Sequence, residues 1–167
     1  MSTIDDPCKL MITVEVCEPN KHRPYKAIYY RDQKNVVIRH IWVDGNDHIV
    51  RDYLYERHPE GQISCVALFG ADHTTLLGVQ EFIYDELNRR REVVQYEIRD
   101  GEKTQLQKTK FCYENDSPCY HKVVVYGRTD EPIGYTLYTY DDAGVAPMGS
   151  FTMDGEPIRR FDVERLF

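Results

Sequence analysis

Apolar and polar residues alternate with period two along much of this chain. In the first run, Leu10, Ile12, Val14 and Val16 alternate with Met11, Thr13, Glu15 and Cys17, which predicts a strand with one buried face. Glu18-Pro19-Asn20 ends it, since proline cannot donate to a sheet ladder. Further β-like runs cover Val36 to Val43, Ile63 to Phe69, Val93 to Ile98, Val123 to Tyr126 and Gly149 to Met153. A helical period is conceivable only over 79–92, and there a Tyr-Asp pair fits a different pattern.

That pattern is a repeat. An aromatic residue, usually followed by an acid, recurs at intervals of 21–29 residues: Tyr30-Arg31-Asp32, Tyr55-Glu56, Tyr84-Asp85, Tyr113-Glu114, Tyr140-Asp141 and Phe161-Asp162. Two positions before the first five aromatics stand Ile28, Tyr53, Phe82, Phe111 and Tyr138, the spacing that puts two side chains on one face of a strand. Further along each unit comes a turn signal: Asp44-Gly45, Asp100-Gly101 and Asp154-Gly155, with degenerate versions at Gly70-Ala71-Asp72 and Gly127-Arg128-Thr129-Asp130. Asp-Gly between strand runs predicts a hairpin whose turn uses positive φ angles. Ile49, Leu76, Leu106, Ile133 and Ile158 then open the next unit.

Each unit therefore reads as strand, polar turn, strand, Asp-Gly-type turn. Copies cover 24–49, 50–77, 78–106, 107–133 and 134–158, with a half copy at 159–167 and an N-terminal strand and linker over 1–23. The expected fold is all-β: about five antiparallel β-hairpin repeats forming one curved or rolled sheet in a single domain, 1–167.

Composition sharpens this picture. Thirteen tyrosines in 167 residues suit a half-buried sheet, because the ring packs while the hydroxyl stays wet. The net charge of −7 disfavours direct nucleic-acid binding. It fits either ordinary solubility or attraction to a basic partner. The odd count of five cysteines, with no paired metal or redox spacing, predicts reduced thiols. No secretory leader or membrane-length apolar run is visible, so the expected location is the cytoplasm, away from membranes.

The Tyr-Asp pair, central turn, β run and Asp-Gly together resemble the RHS, or YD, repeat. Phe82-Ile83-Tyr84-Asp85-Glu86-Leu87-Asn88-Arg89 and Tyr138-Thr139-Tyr140-Asp141-Asp142-Ala143-Gly144 are the closest copies. The likeness covers roughly 24–167. The units are longer than usual YD repeats, and Glu56 and Glu114 stand where Asp is usual. MORN-like hairpin repeats would read similarly. In RHS proteins long arrays enclose a toxin domain; five units resemble instead the small stand-alone proteins found beside toxin genes as immunity proteins. The resemblance implies an antitoxin that binds a cognate, basic protein toxin and blocks its active site. The alternative is a structural or scaffolding repeat with no toxin partner.

Catalytic signals are sparse. There is no phosphate loop, nucleophile elbow or His-Glu-x-x-His, and no metal or cofactor is expected. His58, His73 and His121 fall near turns, where a solvated histidine is expected. Glu81, Asp85 and Glu86 could form a carboxylate pair, but in the repeat frame an acid there stabilises a turn. Arg89-Arg90-Arg91 is expected to balance nearby acids. The candidate partner-binding residues are Glu56, Glu60, Glu86, Asp116 and Asp142, which would line one edge if successive turns stack. Asp47, Asp72, Glu102, Asp130, Glu131 and Glu156 would line the other, so sequence does not choose between edges. Reduced thiols have a direct check: a thiol reagent added to denatured, unreduced protein should label all five cysteines, and a shortfall of two or four would reveal disulfides.

Overall fold

The computed structural model describes residues 11–17, 25–141 and 144–158. Among these there is no helix. The strands are β1 (Met11–Cys17), β2 (Tyr25–Arg31), β3 (Val37–Val43), β4 (Ile49–Arg57), β5 (Ile63–Phe69), β6 (Leu76–Tyr84), β7 (Arg90–Arg99), β8 (Glu102–Tyr113), β9 (Tyr120–Tyr126), β10 (Pro132–Asp141), β11 (Gly144–Phe151) and β12 (Pro157–Ile158). The protein is all-β, as its alternating pattern predicts. No helix among the described residues is long and apolar enough to cross a membrane.

The chain divides into two compact units within β6: Met1–Val79 with Ile98–Asp100, and Gln80–Glu97 with Gly101–Phe167. In the first, β1 to β5 are neighbours in chain order, each antiparallel to the next. In the second, β8 to β12 repeat that meander, and β6 and β7 flank a turn closed by the hydrogen bond from Asp85 N to Arg89 O. The first unit buries Ala27, Ile41, Val43 and Val66, the second Val94, Val123, Val124 and Val125. Most other strand side chains are half-buried, which accounts for the tyrosine-rich composition.

One turn geometry recurs. At Asp32, Asp44, His58, Asp85 and Thr152, the residue donates its N–H to the carbonyl four residues on, and its own carbonyl accepts from the N–H three residues on. That third residue has positive φ in every case: Asn35, Asp47, Gly61, Asn88 and Gly155. Where the opening residue is Asp, its carboxylate also accepts two backbone N–H groups. Asp32 holds Lys34 and Val36, Asp44 holds Asn46 and His48, and Asp85 holds Leu87 and Arg89. The acid after the repeat aromatic is therefore the residue that opens the turn at Asp32 and Asp85. At Tyr55 the frame slips by two residues, so His58 opens the turn and Glu56 lies inside β4 rather than in a loop.

The Asp-Gly expectation is thereby corrected at two of its three sites. At Asp44-Gly45 the left-handed residue is Asp47 (φ 62°), and at Asp154-Gly155 Gly155 alone takes positive φ (87°). Asp100-Gly101 is the two-residue turn the pattern calls for, with φ of 52° and 82°. A bulge follows several turns: Ile38, Val50, Ser64, His121 and Ile133, each second in its strand, are skipped by the pairing register. Such an insertion increases local twist; two of the five, Val50 and Ile133, are among the exposed large apolar residues.

These geometries separate two glycines that look alike in sequence. Gly101→Val should cost about 1 kcal/mol or more, because a β-branched residue is strained at positive φ. Gly45→Ala should be neutral or slightly stabilising. Urea unfolding of both variants checks the assignment; equal midpoints would refute it.

Candidate functional site

Of the predicted partner-binding residues, Glu86 and Asp116 are brought to one edge of the second unit. Glu86 stands in the turn opened by Asp85, and Asp116 in the turn between β8 and β9. Arg89 joins the two turns. It pairs with Asp85 at 2.7 Å and donates to the carbonyls of Asn115 (2.7 Å) and Ser117 (2.9 Å). Its guanidinium also lies 4.5 Å from the centre of the Tyr113 ring. The Arg89 hydrogen bond is the main cause holding the Asp85 carboxyl below its usual range, against a smaller opposing effect of burial. Arg89 thus balances a local acid, as expected, and docks two turns as well. Glu56 and Glu60 sit in the first unit, at the β4–β5 hairpin. Asp142 lies outside the described residues. Glu56, Glu60, Glu86 and Asp116 are all exposed, and none makes a side-chain hydrogen bond or ion pair among the described residues.

On the opposite edges three candidate acids are already engaged. Asp47 pairs with Lys26 at 2.6 Å, Asp130 pairs with Lys108, and Asp72 bonds the side chain of Thr75 and two backbone N–H groups. Those bonds, the Thr75 side chain's first, hold the Asp72 carboxyl far below the usual range.

A second constellation was not visible in the sequence. In the first unit the register aligns Ile28, Ile41, Asp52 and Phe69 across four strands. The acid occupies the place of an apolar residue in this row, and its side chain is 1% exposed. Burial raises its pKa. Hydrogen bonds from Arg39 and His73, then their charges, outweigh burial and leave it below the usual range. Arg39 grips it with two nitrogens, Nε to Oδ1 at 2.9 Å and an Nη to Oδ2 at 2.5 Å. His73 reaches the same Oδ2 through Nδ1, also at 2.5 Å. A carboxylate only accepts, so His73 Nδ1 carries the proton, and its 2.9 Å approach to Arg39 is a contact rather than a hydrogen bond. His73 is therefore not a merely solvated turn residue. The sequence signal was Asp52 itself, an acid in mid-strand away from any turn.

Arg39 and His73 line an open cleft of about 620 Å³, floored by Ile28, Ile41, Val43 and Ile49. Tyr30 and the Lys26–Asp47 pair also line it. Among the described residues no group of three or more His, Cys, Asp or Glu is placed to hold a metal ion.

No family model matches this chain, and no curated protein matches it. Among solved structures, a DUF3836 family protein from Parabacteroides distasonis matches 70% of this chain and 98% of its own, at 17% identity and a TM-score of 0.34.

The Asp52 network makes a pH prediction. A carboxyl whose folded pKa is depressed contributes stability above its unfolded pKa, about 3.9, and that contribution is lost as pH falls through the lower folded value. Asp52→Ala should strand Arg39 and His73 and cost about 2 kcal/mol or more at pH 7. The deficit should shrink below about pH 4. Chemical denaturation of both proteins at pH 7 and pH 3 measures it; an equal deficit at both would refute the assignment.

Proposed function

We propose that this chain is a binding module that holds a basic protein partner through the exposed carboxylates of its turns, as an immunity protein acting in the cytoplasm would hold a toxin. One observation carries the reading. Asp32, Asp44 and Asp85 build turns, while Glu56, Glu60, Glu86 and Asp116 have no partner in the described fold. Glu60, Glu86 and Asp116 stand in turns and Glu56 near the end of β4; unpaired like charges at such hairpins are mildly destabilising, and the fold does not require them. A basic partner offsets that cost and is drawn in from a distance. No catalytic role is proposed for these acids. The scaffold alternative leaves them unexplained.

The protein encoded by the adjoining reading frame is the partner to test. Glu86→Lys with Asp116→Lys should leave the melting temperature nearly unchanged, since exposed charges contribute little to stability. It should slow association roughly tenfold, and added salt should slow the unaltered protein in the same way. Glu102→Lys with Glu156→Lys is the control on the opposite edge. If the first pair of changes leaves protection of cells expressing that protein intact, the acidic-turn mechanism fails.

A further inference from the structure

We propose that the cleft of the first unit binds a small organic carboxylate with an aliphatic body, its head group held by Arg39 and His73. This site is separate from the turn carboxylates and does not depend on them.

One residue breaks the turn rule. In the five regular turns the left-handed position holds Asn, Asp or Gly, residues that tolerate it at little cost. The longer β5–β6 turn has the same closure, with His73 N donating to Gly70 O. Its left-handed residue is His73, at φ 61°. The turn itself would be served as well by Asn or Gly. What only histidine supplies is the ring that reaches Asp52.

Asp52 is equally out of place for the fold, being a buried carboxylate in an apolar row. Burying an ion pair is seldom better for stability than packing an apolar residue. A carboxylate that fixes the orientation of an imidazole and a guanidinium is a recurrent device of binding sites. Asp52 itself does not line the cleft, whereas Arg39 and His73 do. Asp52 occupies Nε and one Nη of Arg39 and Nδ1 of His73. The other Nη of Arg39 and Nε2 of His73 have no partner among the described residues. The free Nη of Arg39 donates to one oxygen of a carboxylate, and a His73 ring protonated on both nitrogens donates to the other. The Ile28, Ile41, Val43 and Ile49 floor accepts an alkyl chain.

Octanoate is the probe, with 1-octanol and inorganic phosphate as its apolar and anionic halves. Titration calorimetry should show saturable binding of one octanoate per chain. Octanol should bind at least about tenfold more weakly, and phosphate should not displace octanoate. The His73 imidazole resonances should move as octanoate is added. His73→Asn supplies a residue that the regular turns already use at this position. It should keep the β-sheet circular dichroism spectrum and a melting temperature within a few degrees, yet lose octanoate affinity roughly tenfold. If that variant does not fold, His73→Gly, the residue at 61 and 155, takes its place. Absence of saturable octanoate binding, equal affinity for octanol, displacement by phosphate, or unchanged affinity in the folded variant would each overturn the proposal. None of these results bears on protection against a protein partner, so the two readings fail separately.

Discussion

The left-handed residue that closes each regular turn is the constraint on which the rest of the structure depends. A chain that reverses direction every few residues must find, each time, a position able to adopt positive φ and an acceptor for the N–H groups left exposed. Asn35, Asp47, Gly61, Asn88 and Gly155 supply the first. Asp32, Asp44 and Asp85 supply the second through their carboxylates. Because the turn fixes which residues face each other, it also fixes the register of the strands it joins. A one-residue slip would send Ile41 and Val43, both buried, to the other face.

Register in turn decides which side chains meet. In the second unit it places Phe111, Tyr113, Tyr138 and Tyr140 around Tyr120, with ring centres 5.0 to 6.2 Å away. Across the sheet it sets Lys108 over Tyr126 and Lys122 over Tyr135. These contacts join apolar burial to a wet polar end on both faces, so the sheet keeps few fully buried residues. The acids then fall into two kinds. Some are engaged in turn geometry or ion pairs, and others project from ordered turns with nothing to do for the fold.

Asp52 is ion-paired too, but inside a strand row rather than at a turn. It stands where the row through Ile28, Ile41 and Phe69 calls for an apolar side chain, and it is tolerated because Arg39 and His73 satisfy it. His73 accepts an unfavourable backbone conformation to do so. Two departures from local preference, separated by 21 residues, converge on one hydrogen bond beside an apolar cleft. Such convergence is what distinguishes a site from an accident of packing.

The sequence by itself determined the all-β class, most of the strands and the approximate places of most of the turns. Alternation of apolar residues and the chemistry of Asp, Asn and Gly are local properties, readable within a few residues. It also marked Glu86 and Asp116 as turn acids, but put Glu56 in a turn because the Tyr-acid frame slips by two residues before His58. Which residue of a turn takes positive φ depends on the hydrogen bonds that close it, so Asp44-Gly45 and Asp100-Gly101 looked the same and are not. The Arg39–Asp52–His73 network was settled only by the tertiary structure. Its members come from β3, β4 and the β5–β6 turn, and no periodicity links a mid-strand acid to a histidine two strands away. Only register and the backward reach of the turn bring them within 2.5 Å.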